Sequence, residues 1–294
     1  MKITVLGVGL MGAPMSRRLL SAGFQVTLWN RSADKAKALV PDGALIAHTL
    51  PQAVAHADLI ITLLSDGAAV DDVLFAQGAA QGIKRGALLI DMSSILPEQA
   101  RDHAQRLQAL GIETLDAPVS GGTLGAEAGT LAIMAGGDHK AFERAVPVLK
   151  VLGHPIHVGP AGSGQLCKLA NQMIVGITIG AVAEALLLAE RGGANPAKVR
   201  EALRGGFAES RILEVHGQRM VDKDFAKRGS LATQLKDLRN AMHTANALAF
   251  EAPITAHLTQ LYRQAFEHGL GELDQSALYQ WLDARPNVNR AEPS

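Results

Sequence analysis

Apolar residues in the first half of the chain cluster into short compact runs separated by stretches of helical spacing. Residues 2–6 (KITVL) form a β-rich run that ends in glycine, residues 11–22 carry helical periodicity, and residues 24–29 (FQVTLW) form a second apolar run. Strand, helix and strand within about thirty residues is the size of a parallel βαβ unit. Residues 59–64 (LIITLL) and 87–90 (ALLI) are continuous apolar runs of the kind expected of strands covered on both faces, and 113–115 and 132–134 extend the series. The pattern predicts an α/β, Rossmann-type doubly wound parallel sheet over residues 1–163.

The spacing changes after residue 164. Residues 196–203, 231–248 and 255–268 repeat at helical intervals, and no strand of comparable quality follows. An all-helical C-terminal domain over 164–285 is expected, with a polar tail at 286–294. Its first segment, 169–189 (LANQMIVGITIGAVAEALLLA), has Glu184 as its only charge and the length of a membrane span. Asn171, Gln172, Thr178 and Glu184 interrupt it, so a helix buried on nearly all sides is the expected form.

Composition narrows the partners. The chain has 294 residues, 48% hydrophobic and 19% charged, with 28 Lys plus Arg against 28 Asp plus Glu. Without net charge there is no field to gather nucleic acid or to coat an anionic membrane, which leaves small molecules and copies of the chain itself. The single cysteine, Cys167, excludes an intrachain disulfide and fits a reducing compartment. The first residues lack the apolar core of a cleavable signal, so cytoplasmic residence is expected.

Three stretches carry candidate chemistry. Residues 7–12 (GVGLMG) match G-x-G-x-x-G between a predicted strand and helix, with Gly7 for the tight turn, Gly9 for approach to a pyrophosphate and Gly12 for close packing. A bare βα turn is the alternative. At the end of the second predicted strand stand Asn30, Arg31 and Ser32, where an NAD site usually places a carboxylate. A guanidinium there can fork onto a 2′-phosphate and favours NADP(H), with NAD(H) possible; a solvated loop cation would read the same. Residues 116–137 are glycine-rich, and Ser120, Gly121 and Gly122 can present a hydroxyl and open amides to a carboxylate.

Lys168 opens the apolar segment, where a helix start disfavours a cation. With Asn171 and Gln172 at offsets of three and four it shares one helical face. A lysine on an apolar wall can donate a proton to a developing alkoxide, or it can simply snorkel. Cys167 reads as a small apolar residue. His154 and His157 lack the carboxylate or cysteine partners of a metal site, and no metal is expected.

From residue 3 to about 284 the chain resembles the β-hydroxyacid dehydrogenase family, which includes 3-hydroxyisobutyrate dehydrogenases, tartronate semialdehyde reductases and glyoxylate or succinic semialdehyde reductases. The resemblance rests on VLGVGLMGAPMSRRLLSAG (5–23), LIDMSS (89–94), DAPVSGG (116–122), GTLAIMAGG (129–137), GSGQLCKLANQ (162–172) and LKDLRNAM (235–242), in that order. It implies a Rossmann domain, a long interdomain helix and a helical domain that forms a homodimer or homotetramer. It implies Lys168 as catalytic acid, Asn171 as its substrate-orienting neighbour, and Ser120 to Gly122, with Gln172 nearby, as the substrate site. Leu10 and Met11 in the glycine turn, Leu64, Ser65 and Ser94 at strand ends, and Lys236 of the helical domain correspond to cofactor contacts.

The expected activity is therefore an NADP(H)-preferring interconversion of a small β-hydroxy acid and its semialdehyde. KLANQ resembles the tartronate semialdehyde reductases most closely, whereas Asn30-Arg31-Ser32 resembles the NADPH-linked glyoxylate and succinic semialdehyde reductases. Two rivals are an imine reductase and a non-enzymatic dinucleotide-binding module. Relatives of those kinds usually lack the lysine that this chain has at 168.

Overall fold

The computed structural model describes residues 1–285; the tail at 286–294 lies outside the described residues. The chain divides into a unit of Met1–Lys168 and a second unit from Leu169 onward. The first runs β1 (Lys2–Leu6), α1 (Gly12–Ser21), β2 (Gln25–Trp29), α2 (Ala33–Lys37), β3 (Leu45–Ile46), α3 (Leu50–Val54), β4 (Leu59–Thr62), α4 (Gly67–Asp71), α5 (Ala79–Gly82), β5 (Leu88–Asp91), α6 (Pro97–Ala109), β6 (Glu113–Asp116), β7 (Val119–Ser120), α7 (Gly122–Ala128), β8 (Leu131–Gly137), α8 (His139–Leu152) and β9 (Gly153–Gly159). Then α9 (Ser163–Arg191) carries the chain into the second unit, with α10 (Pro196–Leu203), α11 (Arg211–Asp222), α12 (Leu231–Ala247), α13 (Pro253–Ala265) and α14 (Leu278–Ala284).

Strand order is β3-β2-β1-β4-β5-β6-β8-β7, with β9 paired to β8. The strands from β3 to β6 are parallel, as the apolar runs predicted. The expected doubly wound parallel sheet is there, with a mixed edge beyond β6: β8 runs antiparallel to β6 and to β7, while β9 is parallel to β8. At that edge β7 and β8 are joined through the short α7, and the parallel β8–β9 pair keeps a helical crossover, α8.

Alternation along the central strands feeds two cores. Ile3, Val5, Leu28, Ile61 and Ile90 pack with Met15 and Leu19 of α1 and Val148 and Leu149 of α8. Leu6, Ile60 and Leu89 pack with Val54 of α3 and Leu107 of α6 on the other face. Burial on both sides is why these strands read as unbroken apolar runs.

In the second unit, Ile179, Val182, Ala183, Leu186 and Leu187 of α9 form a stripe at helical spacing. They pack with Leu213 and Met220 of α11, Leu235 and Leu238 of α12, Leu258 and Tyr262 of α13 and Leu278 of α14. The expectation of a helix buried nearly all round does not hold: Ile174 is 67% and Leu188 76% exposed. The helix is long and apolar enough to cross a membrane, yet one stripe of it is the core of its own unit.

Candidate active site

The carboxyl ends of five strands lie in one row, Trp29, Leu6, Thr62, Asp91 and Asp116, paired neighbour to neighbour. Strand order reverses between β1 and β4, the place where open α/β sheets bind ligands. The glycine turn sits there. Gly7 has φ +110°, and a Cβ on it would lie 2.3 Å from the Leu63 carbonyl oxygen; a Cβ on Gly12 would lie 2.0 Å from that of Gly7. Protein contacts alone therefore require both glycines. Gly9 differs, since a Cβ there would meet nothing within 4 Å. Packing alone therefore does not require glycine at position 9, the place where the dinucleotide motif needs backbone open to a pyrophosphate. Leu10 beside it is 62% exposed, and Met11 is half-buried ahead of α1.

Asn30, Arg31 and Ser32 follow β2. The Val8 amide donates to Asn30 Oδ1 at 2.9 Å, and Asn30 Nδ2 donates to the Ser32 carbonyl at 2.9 Å. Asn30 thus ties the glycine turn to the strand end, a role the sequence did not suggest. Arg31 and Ser32 are exposed, and the Ser32 hydroxyl makes no capping bond to α2. The next acid along, Asp34, is paired with Lys37 at 3.2 Å.

At the end of β4 the Leu64 amide donates to Ser93 Oγ at 2.9 Å, and Ser65 Oγ donates to Asp66 at 3.0 Å. Ser94 follows Ser93 after β5 and is half-buried. Ser120 ends β7, and Gly121 (φ +136°) and Gly122 (φ +63°) turn the chain into α7. A Cβ on Gly122 would meet nothing within 4 Å, so its amide is open on the side a side chain would cover.

Lys168 does not open its helix. The helix α9 begins at Ser163, which puts Lys168 in its second turn, where the unfavourable dipole has largely decayed. It is 9% exposed. The first turn of α9 is held by two residues that sequence reasoning left without a role. Asp116 accepts the amides of Gly162 and Gln165, each at 2.8 Å. Gln165 donates from Nε2 to the Ser93 carbonyl at 2.8 Å and accepts the Ile95 amide at 3.1 Å. Burial pushes the Asp116 carboxyl up to about 6, so above that pH it is the ionised acceptor that a helix start favours.

In the second unit, Asn171 Nδ2 donates to Gln172 Oε1 at 2.9 Å. Gln172 Nε2 in turn donates to Gln234 at 3.1 Å and to Asp237 at 2.7 Å, which commits both of its hydrogens. The Gln172 carboxamide is thereby hydrogen-bonded within its own unit to Asn171, Gln234 and Asp237. Lys236 pairs with Asp237 at 3.1 Å. Among the described residues, the one group of metal-type ligands is Asp71, Asp102 and His103. Arg106 already bridges it, donating to Asp71 at 2.7 Å and to Asp102 at 3.0 Å.

A dinucleotide turn at the switch point, an open serine-glycine turn and a buried lysine three residues from an asparagine define a nicotinamide-dependent oxidoreductase, and the chain belongs to the β-hydroxyacid dehydrogenase family. Residues 2–162 match the NAD binding domain of 6-phosphogluconate dehydrogenase, and residues 162–282 match the NAD-binding domain of NADP-dependent 3-hydroxyisobutyrate dehydrogenase. Over 98% of its length and 99% of the relative's, the chain is 44% identical to 2-hydroxy-3-oxopropionate reductase of Escherichia coli. It is 34% identical to a 3-hydroxyisobutyrate dehydrogenase of Mycobacterium tuberculosis solved with L-serine, with a TM-score of 0.88 and coverage of 96% and 99%. A 3-hydroxyisobutyrate dehydrogenase from Salmonella typhimurium, 30% identical, also superposes with a TM-score of 0.88 over 95% and 99% of the two chains.

Proposed function

We propose that the protein reduces a small carboxylate semialdehyde to its β-hydroxy acid, and the reverse, with tartronate semialdehyde as the first substrate and NADP(H) as the preferred cofactor. The observation that carries the reading is Lys168, a lysine 9% exposed on a helix whose start is fixed to the sheet. The 44% identity to 2-hydroxy-3-oxopropionate reductase supports the substrate. The exposed Arg31 and Ser32, with no carboxylate at the end of β2, support the cofactor.

When bound, the nicotinamide dinucleotide supplies hydride in reduction and accepts it in oxidation. The chain's own part is to place groups and move a proton. Backbone amides of the turn from Gly7 to Gly12 receive the pyrophosphate. The Ser120 hydroxyl and the Gly121 and Gly122 amides hold the substrate carboxylate. Lys168 Nζ gives its proton to the carbonyl oxygen as charge develops there; in oxidation a neutral Lys168 takes the alcohol proton. Asn171 orients the oxygen. Each contribution is one of position, the term that converts binding into rate.

The test is a panel of semialdehydes and hydroxy acids assayed with both cofactors. Turnover of tartronate semialdehyde with the highest kcat/KM supports the proposal; preference for methylmalonate, glyoxylate or succinic semialdehyde moves the protein elsewhere in its family, and no turnover of any would overturn the reading. The same proposal includes assembly. Ile174, Leu188, Leu248, Phe250 and Ile254 are between 58% and 76% exposed in the helical unit, and a second copy is the usual cover for such residues. A monomer by light scattering at micromolar concentration would remove the assembly.

A further inference from the structure

The motif glycines around Lys168 are not all there for ligand. A Cβ on Gly164 would lie 2.3 Å from the carbonyl oxygens of both Asp116 and Met134. A Cβ on Gly136 would lie 2.6 Å from the Gly164 amide nitrogen and 2.7 Å from Asp116 Oδ1. These two glycines let the first turn of α9 seat directly on the ends of β6 and β8. The Asp116 carboxylate, 6% exposed, spends one oxygen on the Gly162 amide and the other on the Gln165 amide. Gln165, fully buried, adds two lateral bonds to the segment after β5, through the Ser93 carbonyl and the Ile95 amide.

Those lateral bonds reach the cofactor strand ends. Ser93 Oγ accepts the Leu64 amide at 2.9 Å, and the Ser93 amide donates to Asp91 Oδ1 at 3.0 Å. Thr62 at the end of β4 donates to that same Asp91 oxygen at 2.7 Å. From Thr62 and Leu64, through Asp91 and Ser93, to Gln165 and on along one helical turn to Lys168, the connections are hydrogen bonds or helix, all inside the first unit.

We propose that Asp116 and Gln165 are positioning residues for the reaction, clamping the first turn of α9 so that Lys168 is held at a fixed place relative to the strand ends that carry the cofactor. Neither touches the reacting atoms. Asp116 fixes the helix along its axis by capping it, and Gln165 fixes its rotation by pinning one side. A helix merely packed through apolar contacts could slide or turn by a fraction of an ångström at little cost. Displacement of a catalytic group by about 1 Å costs on the order of 100-fold in rate.

The proposal rests on Lys168 being the proton donor, and the experiment separates the two. Asp116→Asn keeps volume but sets an amide donor against one of two backbone donors; Gln165→Met keeps volume and removes both pins. Each is compared with wild type and Lys168→Met for kcat, KM, nucleotide Kd by fluorescence titration, and the primary isotope effect with nicotinamide deuterated at C4. The expected result is a kcat lower by about 10- to 100-fold for Asp116→Asn and by several-fold for Gln165→Met. Nucleotide Kd should stay within about twofold, and the isotope effect on kcat should increase, because only the chemical step has slowed. A purely structural role would instead lower the active fraction without moving the isotope effect, and that outcome overturns the proposal. So does wild-type kcat in either folded variant while Lys168→Met is inactive. Full turnover by Lys168→Met would overturn the reading of Lys168 itself. If Asp116→Asn does not fold, Gln165→Met decides.

Discussion

Gln172 Nε2 donates to the Asp237 carboxylate at 2.7 Å, and the same carboxylate meets the Lys236 ammonium at 3.1 Å. Asp237 is 2% exposed, so its charge depends on these partners for what water would otherwise supply. Gln172→Leu is expected to lower the stability of the helical unit by about 1–3 kcal/mol, the cost of stripping a hydrogen bond from a buried charged group. Trp281 lies in that unit, and its fluorescence during urea unfolding reads the change. An unchanged midpoint would mean that Asp237 does not depend on the Gln172 donor.

Lys168→Met is expected to reduce kcat by about 10²- to 10⁴-fold, the usual contribution of a placed acid or base, and to leave nucleotide affinity near wild type. The glycine turn proposed to receive the pyrophosphate lies at the other end of the same unit's chain, at residues 7–12. Steady-state rates on the best semialdehyde, with nucleotide titration alongside, distinguish loss of chemistry from loss of binding. Wild-type kcat would make Lys168 structural.

Cofactor choice is expected to follow Arg31. Asn30, not a carboxylate, stands at the end of β2 and is engaged by Val8 and Ser32, and the next acid along, Asp34, lies three residues past Arg31. A charge-assisted contact of about 1.5–3 kcal/mol corresponds to roughly ten- to a hundredfold in affinity. NADPH should therefore exceed NADH in kcat/KM by at least about tenfold, Arg31→Asp should erase or reverse the ratio, and added salt should weaken NADPH more than NADH. Equal efficiency in the wild type would withdraw the assignment.

The two units are expected to respond oppositely to acid. Burial lowers His216 of α11 from 6.5 to about 4, so the native state keeps it neutral while the unfolded chain takes up a proton. Its contribution is fully present above about 6.5 and is lost as pH falls towards 4. Burial raises Asp116 from 3.8 to about 6, so there the native state is the one that binds the proton. Its ionisation weakens the Rossmann unit as pH rises through that window. Trp29 reports the first unit and Trp281 the second; melts at pH 4.5 and 7 should shift the two signals in opposite directions once other acid effects are subtracted with His216→Gln and Asp116→Asn.

Local pattern along the sequence determined the parallel half of the sheet, the glycine turn and the helical second half, because each leaves its period in contiguous residues. The strands β1, β4 and β5 are buried on both faces and read as apolar runs; Gly7 and Gly12 are demanded by a turn seven residues from the start. The strand β9 was missed because, after the buried Gly153, GHPIHVG alternates between exposed and half-buried positions and carries a proline, so no apolar run marks it as core. The start of α9 was missed by several residues because GPAGSG resembles a loop until a carboxylate 46 positions earlier caps it. That cap, the commitment of Gln172 to a partner 65 residues away and the capture of Asn30 by Val8 belong to the tertiary structure alone. A hydrogen bond between distant residues has no period, and only the folded chain decides which buried polar groups meet.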